Sequence, residues 1–228
     1  MSRSNLDAPP EDTTVYLVTD RRTVISPYAR GNPKLGAGVY TYDRTAVETC
    51  PGATSYCVSV CYAKRISDNP VVRPLLVANE REEVPPVPAD AKLVRWHVSG
   101  DFDTAAYIHN WTDEVRRRPD VTFWGYTRTW RLPALGVVGA LRILRDEPNV
   151  QLFASTDPDT SAAVRATLHE KGWRLADIAP TEPATRSGVA DHGGAYFVCP
   201  EETGHKRNCE ECRYCFDGKR GDVVFVEH

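Results

Sequence analysis

The seven cysteines of this 228-residue chain fall into two groups whose spacing is typical of metal sites. The first group comprises Cys50, Cys57 and Cys61, and the second group comprises Cys199, Cys209, Cys212 and Cys215. An odd number of cysteines excludes a fully paired disulfide framework. Clustered cysteines in a chain with no secretion signal more often bind metal or carry out redox chemistry. We therefore predict that all seven thiols are metal ligands.

The first group has the spacing C-x6-C-x3-C, and its three thiolates leave one ligand position open. Cys57 and Cys61 are four residues apart, so a single helical turn would place both thiols on one face. Three interpretations stay open: an iron–sulfur cluster, a structural zinc ion with a fourth ligand such as His97 or Asp101, and small cysteines packed in a core. The softness of thiolate ligands favours the iron–sulfur cluster.

The second group contains two C-x2-C steps within residues 209–215, which is a strong signal for a metal site. Four thiolates satisfy either a structural zinc ion or a four-cysteine iron–sulfur cluster. His205 offers a further nitrogen ligand close by in the chain. The sequence predicts a metal here and does not separate zinc from iron.

The composition predicts a cytoplasmic globular protein. The formal net charge is −3, which excludes a global basic field for nucleic acid or membrane. No apolar run approaches the ~20 residues of a membrane span, and the N-terminus has no signal peptide. We divide the chain into a disordered tail at 1–14, a barrel-like domain at 15–198 and a Cys-rich metal-binding lobe at 199–228.

Apolar runs alternate with amphipathic segments, which predicts an α/β fold. Strands are predicted at 15–19, 37–42, 93–98, 121–127, 150–155, 173–178, 195–199 and 222–226. Helices are predicted at 104–118 with Thr104 as a cap, at 133–147 with Pro133 as its first residue, and within 157–172, where a cluster of Asp, Thr and Ser precedes the helix and Gly172 follows it. A closed or partly closed barrel and an open doubly wound sheet both fit this alternation. We predict a partial TIM-like (β/α)6 barrel with a small C-terminal Cys-rich metal-binding lobe.

Polar residues follow three of the predicted strands and mark the place to look for chemistry. Asp101 follows one strand within Ser99-Gly100-Asp101, Arg128 follows the next, and Asp157 follows a third. In α/β folds, sites assemble at the carboxyl ends of strands. We therefore expect these side chains to lie near the first cysteine group.

The order of these features resembles that of two families. A strand, a three-cysteine loop ending in Tyr62, and a second strand ending in Ser-Gly-Asp-Phe together resemble radical S-adenosylmethionine (SAM) enzymes. The loop spacing usual in that superfamily is C-x3-C-x2-C. The segments NPKLG, TCPGATSYCVSVCYA, HVSGDF and FWGYTRTW, with the Cys-rich tail, resemble the "gene product eighty-eight" family of actinobacteriophages, over roughly residues 30–216.

The radical-SAM resemblance implies a set of site residues and cofactors. The first group would hold an iron–sulfur cluster, and the second group would match an auxiliary cluster. Around SAM, the resemblance and the strand ends together suggest Tyr62, Ser99, Gly100, Asp101 and Arg128, with Asp101 also as a catalytic residue. The resemblance to the actinobacteriophage family implies the cytoplasm of an infected host cell as the location. The expected partners of the protein are a small-molecule, nucleotide or nucleic-acid substrate and an electron donor. No association with a membrane is expected.

Two other functions compete with this one. A zinc-stabilised barrel enzyme such as a base-exchanging transglycosylase would use Asp101 and Asp157 as nucleophile and base. A non-enzymatic, metal-stapled binding module would use the cysteines for stability alone.

Overall fold

The computed structural model of the protein describes residues 15–19, 24–181, 183, 185–218 and 221–227. In these ranges the strands are β1 (Val15–Thr19), β2 (Val24–Arg30), β3 (Val39–Tyr42), β4 (Leu93–Trp96), β5 (Thr122–Thr127), β6 (Val150–Thr156), β7 (Arg174–Ala179), β8 (Ser187–Val189), β9 (Ala195–Val198) and β10 (Asp222–Val226). The helices are α1 (Ser55–Ser59), α2 (Tyr62–Ser67), α3 (Arg73–Ala78), α4 (Ala105–Arg117), α5 (Leu135–Arg145), α6 (Ala162–Glu170) and α7 (Cys209–Cys212).

The strands form one mixed sheet in the order β1-β2-β3-β4-β5-β6-β7-β10-β9-β8. The central pairings, from β3 to β9, are parallel, and the pairings at both margins are antiparallel. Within the described ranges, β1 and β8 do not pair, so the sheet is open and not closed into a barrel. Parallel strands place their carboxyl ends at one edge, where ligand sites form in open α/β sheets.

Both faces of the sheet are covered. On one face, Trp96 and Phe123 pack against helices α4, α5 and α6. On the opposite face, Trp124 and Phe153 pack against the C-terminal segment that contains Cys215. The alternation of Phe123 and Trp124 between the two faces is the two-residue period expected of a strand buried on both sides.

Helix α4 illustrates how the sequence specifies its own elements. The hydroxyl of Thr104 accepts a hydrogen bond from the backbone N–H of Tyr107 and caps the helix, as predicted. Ile108, Trp111 and Val115 recur at helical spacing and are fully buried. Each of these side chains contributes about 2 kcal/mol by burial, so packing holds this helix on the sheet.

Several predictions of the local elements are confirmed, and others need correction. Each predicted strand corresponds to an observed one, with ends that differ by a residue or two. Pro133 precedes the helix cap at Ala134 and is not the first helical residue. The cluster of Asp, Thr and Ser at 157–161 precedes the third helix, as predicted, and Ser161 caps that helix. The predicted tail at 1–14 lies outside the described residues.

The predicted C-terminal lobe is not a layer apart from the sheet. Strand β10 lies between β7 and β9, so residues 222–226 are part of the main sheet. The cysteines of the second group pack on the face opposite the long helices. The division of the chain at residue 199 therefore stays a prediction. No helix among the described residues is long and apolar enough to cross a membrane.

Candidate functional site

The first cysteine group lies in the segment that leaves the carboxyl end of β3. Tight turns shape this segment, since the backbone N–H of Cys50 donates to the carbonyl of Val47 and that of Ala53 donates to the carbonyl of Cys50. Thr54 then caps α1 by accepting a hydrogen bond from the backbone N–H of Cys57. These hydrogen bonds give the loop a defined conformation.

Cys57 and Cys61 do not share one continuous helix, which corrects the expectation of a single helical turn. Helix α1 ends at Ser59, and Cys61 is the cap of α2 in extended conformation. This break between the helices separates the two thiols by a bend in the backbone. The spacing of four residues is therefore not sufficient to place them on one helical face.

The three thiols nevertheless lie close enough to affect one another. Burial raises the pKa of Cys50 to about 12, and the carboxylate of Asp101 and the thiols of Cys57 and Cys61 act in the same direction. Burial also raises the pKa of Cys57, while the positive charge of Arg128 and a hydrogen bond with it act to lower that pKa. Without a metal ion the thiols of Cys50 and Cys57 are therefore protonated at neutral pH, and metal binding would ionise them.

Arg128 joins the loop to the sheet through a buried ion pair. One guanidinium nitrogen lies 2.6 Å from a carboxylate oxygen of Asp157, and both side chains are almost completely buried. The Thr54 hydroxyl donates to the same oxygen at 2.7 Å. Burial acts to raise the pKa of Asp157, but the Thr54 hydroxyl and Arg128 hold that pKa below its ordinary value. Asp157 is thus an ionised anchor rather than a free nucleophile.

Two glycines allow the cysteine loop to approach the strand ends closely. A Cβ on Gly52 would overlap the backbone carbonyl of Arg128. A Cβ on Gly100 would lie 2.7 Å from the hydroxyl oxygen of Thr49 and 2.8 Å from Cβ of Arg44, and its φ of +89° favours glycine. The loop therefore lies directly on the segments that follow β4 and β5.

The residues expected around SAM are near the first group, but their polar atoms already have protein partners. Asp101 accepts hydrogen bonds from the backbone N–H groups of Phe102 and Arg128 and from the hydroxyl of Thr127. Burial raises its pKa to about 6, against these hydrogen bonds. Ser99 is buried and shares a 3.1 Å hydrogen bond with Ser67. These residues hold the strand ends in place.

The remaining sequence-predicted residues divide between surface and core. The side chain of Tyr62 is 65% exposed, next to Cys61. His97 is buried, and its Nε2 lies 2.8 Å from the hydroxyl of Tyr107. Burial lowers the pKa of His97 well below its usual range, with the charges of two arginines acting in the same direction. His97 is thus a neutral core histidine rather than a fourth ligand in this arrangement.

The second cysteine group gathers on the face of the sheet opposite the long helices. Cys199 and Cys215 are buried, and Cys209 packs in the same apolar cluster. Burial raises the pKa of Cys199 to about 12 and that of Cys215 to about 11, and neighbouring thiols of the group act in the same direction on both. Arg213 adopts φ +62° directly after Cys212, so the chain turns sharply between the two C-x2-C steps.

A loop that precedes β3 fixes the position of α7. The backbone N–H groups of Cys209 and Glu210 donate to the carbonyls of Lys34 and Leu35, each at 2.9 Å. The carboxylate of Glu210 accepts a hydrogen bond from the backbone N–H of Gly38. The NPKLG segment therefore positions the second cysteine group.

Arg95 connects the surroundings of the two groups. Its guanidinium carbon lies 4.3 Å from the centre of the Tyr126 ring, on the same face as the second group. Its positive charge acts to lower the pKa of Asp43, Cys209 and Cys215, although burial keeps each pKa raised. A buried cation beside thiols favours their ionised form, which is the form that binds metal.

In the part of the chain that the structure describes, the cysteine sulfurs are spaced more widely than the ligands of a single zinc ion. Among the described residues, no three cysteines have sulfur atoms that all lie within 4.8 Å of one another. Four sulfurs around one zinc ion at ~2.3 Å would lie about 3.8 Å apart. A cluster of several irons is larger and requires wider spacing of its thiolates. Beside the second group, the indole N–H of Trp124 is buried without a partner among the described residues.

Sequence reasoning missed the residues that hold the loops in place. Arg44 is fully buried, pairs with Asp103 at 2.7 Å and lies over the ring of Tyr107. The Arg128–Asp157 pair was noted only as separate candidates for chemistry. A charged residue directly after a strand indicates a site in the sequence. This pattern does not predict which residue will form an ion pair with it.

Comparison with known proteins places the chain among phage proteins. The family model described as "Gene product 88" matches residues 22–218. A "Gene 88 protein" of Mycobacterium phage L5 is 29% identical over 212 residues, which cover 78% of this chain and 81% of that protein. A "Gene 88 protein" of Mycobacterium phage D29 is 26% identical over 213 residues, with the same shares covered. No solved structure matches.

Proposed function

The chain belongs to the Gene product 88 family, and on that premise we propose that it is an iron–sulfur enzyme of the radical-SAM type. The proposal takes the seven consecutive parallel strands of the open sheet as a partial TIM-like barrel. It places the active site at the carboxyl ends of the strands. The proposed enzyme acts in the cytoplasm of an infected host cell and requires an electron donor.

One observation carries the proposal: three mutually interacting thiols meet Asp101 and Arg128 at the carboxyl edge of the sheet. Three thiolates hold a four-iron cluster and leave one iron open for a cofactor or substrate. A purely structural site would use four ligands and leave no such position. An incomplete ligand set at the usual ligand-binding edge therefore favours catalysis.

Each residue of this site has a defined task in the proposal. Cys50, Cys57 and Cys61 hold the cluster. Arg128 donates to Cys57, and its positive charge favours the thiolate form and attracts a carboxylate such as that of SAM. Asp101 fixes the backbone of Arg128, since the N–H of Arg128 donates to its carboxylate at 2.8 Å.

The bound cluster would supply one-electron reductive cleavage of SAM, which the protein alone cannot perform. The chain's own residues would orient SAM and exclude water. Tyr62 lies exposed beside Cys61 and offers an aromatic face to the purine ring of SAM. The proposed substrate is a nucleic-acid base, a nucleotide or a small metabolite.

The test is electron paramagnetic resonance of the anaerobically reconstituted, reduced protein with and without SAM. We expect SAM to change the cluster spectrum of the wild-type protein and of a variant with Cys209, Cys212 and Cys215 replaced by serine. We expect no change with Cys57→Ser. A wild-type spectrum that SAM leaves unchanged would overturn the proposal, as would SAM-dependent changes that require only the second group.

A further inference from the structure

A third cluster of metal-binding side chains lies outside both cysteine groups. His169, His192 and Asp222 each offer one ligand atom, and these three atoms all lie within 4.8 Å of one another. Among the described residues this is the one set of three or more potential ligands with that geometry. It therefore has the compactness of a single-ion site, which the cysteine groups lack.

The two imidazoles of the cluster lie close to the same carboxylate oxygen of Asp222. Oδ2 of Asp222 lies 2.7 Å from Nε2 of His169 and 3.0 Å from Nε2 of His192. Asp222 and His192 are almost completely buried, with side chains 2% and 5% exposed, whereas His169 is 29% exposed. The cluster is therefore a pocket with one side open to solvent.

Backbone groups prepare this pocket. The backbone N–H of Leu175 donates to Oδ1 of Asp222 at 2.7 Å, which orients the carboxylate and leaves Oδ2 for the two imidazoles. Gly194 lies against the cluster, since a Cβ there would be 2.6 Å from both Oδ2 of Asp222 and Nε2 of His169. Any larger residue at position 194 would fill the space between the ligand atoms.

The pocket joins three separate elements at the amino ends of the parallel strands. His169 is near the end of α6, His192 is in the turn between β8 and β9, and Asp222 begins β10. All three ligands are among the described residues. The first cysteine group lies at the opposite edge of the sheet, so this cluster is not part of the proposed active site.

We propose that His169, His192 and Asp222 bind a divalent zinc-class ion. Two imidazole nitrogens and one carboxylate oxygen form a common zinc ligand set, with distances to the metal of ~2.0–2.2 Å. Ligands at such distances lie about 3–3.5 Å from one another in tetrahedral geometry. The two distances from Oδ2 of Asp222 to the imidazoles, 2.7 and 3.0 Å, are slightly shorter, and all three ligand atoms lie within 4.8 Å of one another. The Leu175 N–H to Oδ1 is the outer hydrogen bond that such a carboxylate ligand requires. The fourth position faces solvent past His169 and takes water.

The ion would fasten the β8–β9 hairpin and β10 to α6. The competing state has no metal, with both imidazoles donating their protons to Asp222. The two states differ in measurable ways, because metal binding displaces the protons on both Nε2 atoms. The proposal does not depend on iron, SAM or any activity of the cysteine groups.

The first experiment is anaerobic titration of the wild-type protein with cobalt(II), which serves as a spectroscopic substitute for zinc. Cobalt bound by the cysteines gives thiolate charge-transfer absorption, whereas cobalt bound by His and Asp gives only ligand-field bands. In the wild-type protein, we expect one equivalent of cobalt to bind without thiolate charge-transfer absorption. Binding that is accounted for wholly by thiolate sites would overturn the proposal.

The second experiment locates that equivalent with variants. We expect the variants His192→Ala and Gly194→Ala each to lose the equivalent of cobalt that binds without thiolate absorption. The control His109→Ala, on the exposed face of α4, should keep that equivalent. Circular dichroism checks that each variant is folded. Zinc should raise the melting temperature of the wild type more than that of folded His192→Ala. An unchanged cobalt stoichiometry in both pocket variants would contradict the assignment.

Discussion

Arg128 makes two charge interactions at the proposed active edge. It pairs with Asp157 inside the protein and interacts with the Cys57 thiol. A buried charge that loses its partner is strongly destabilising, because nothing repays its desolvation. The pair therefore links the stability of the fold to the geometry of the cysteine loop.

Asp157→Asn should destabilise the protein by ~3–5 kcal/mol, because it leaves the Arg128 guanidinium buried without a counter-charge. Urea unfolding of the wild type and the variant measures this difference. Asp146→Asn is the matched control, because Asp146 pairs with Arg145 while 62% exposed, and an exposed pair contributes little. Equal stability losses in the two variants would contradict the role given to Asp157.

His97 should make the fold sensitive to acid. The unfolded chain binds a proton at this histidine near pH 6.5, whereas the folded protein, with its depressed pKa, does not. The stability associated with His97 is therefore complete above pH 6.5 and is lost as the pH falls below it, by up to about 1.4 kcal/mol per pH unit.

We expect His97→Gln to flatten that slope between pH 6.5 and pH 5, whatever its effect at neutral pH. Free energies of unfolding at a series of pH values provide the test. His109→Gln, at an exposed position on α4, should keep the wild-type slope. A His97→Gln slope equal to that of the wild type would show that His97 titrates normally in the fold.

For single residues, the sequence predicts which of them lie near the site. It does not predict which groups their side chains contact. Cys57, Asp101 and Arg128 all lie where the alternation of strands predicted. Asp101 was expected to bind a cofactor, yet its oxygens are occupied by backbone N–H groups. A side chain's hydrogen-bond partners come from loops distant in sequence, so spacing along the chain cannot give them.

At the element scale, the cysteine loop depends on how closely it lies on the turn after β5. Gly52 is the contact point, because a side chain there would overlap the Arg128 carbonyl. Since the overlap is with backbone, relief requires a shift of the loop itself. The site therefore tolerates no side chain at this position without losing the arrangement of its thiols.

We expect Gly52→Ala to prevent metal binding by the first group while leaving the second group loaded. Iron and sulfide analysis after anaerobic reconstitution measures the loss. Gly139→Ala is the control, because a Cβ at that position in α5 meets nothing within 4 Å. This control should keep the wild-type metal content and gain about 0.5–1 kcal/mol of stability from better helix propensity. Full metal content in Gly52→Ala would contradict the close approach.

The elements that were predicted share strong patterns, and those that were missed lack them. β5 and β6 have long apolar runs, and α4 has both a cap and an apolar stripe. β2 was missed because Pro27 lies within it, and the pairing register with β1 shifts at that point. β8 has only three residues, all exposed, and carries no apolar pattern.

At the scale of the whole molecule, the second cysteine group joins distant parts of the chain. Cys199 follows β9, residues 209–215 lie under the sheet, and the loop at 32–36 holds α7 through backbone hydrogen bonds. A metal bound here would connect the two halves of the sheet. Cys199, Cys209 and Cys215 accordingly pack in the apolar cluster on one face of the main sheet.

Removal of metal from the second group should lower the melting temperature by ~10 °C, because a bound ion contributes several kcal/mol to a chain of this size. Cys215→Ser, at a buried position, measures this effect in a thermal melt. Cys57→Ser provides the comparison, since its loop lies at the rim of the sheet. A larger loss in Cys57→Ser than in Cys215→Ser would reverse the roles assigned to the two groups.

Anaerobic metal analysis determines which metal the first cysteine group binds. In protein whose second group is replaced by serine at Cys199, Cys209, Cys212 and Cys215, we predict close to four irons and four sulfides per chain. Further replacement of Cys50 and Cys61 by serine should abolish both. A colourless protein that binds zinc at the first group and no iron would contradict the assignment of an iron–sulfur cluster to that group.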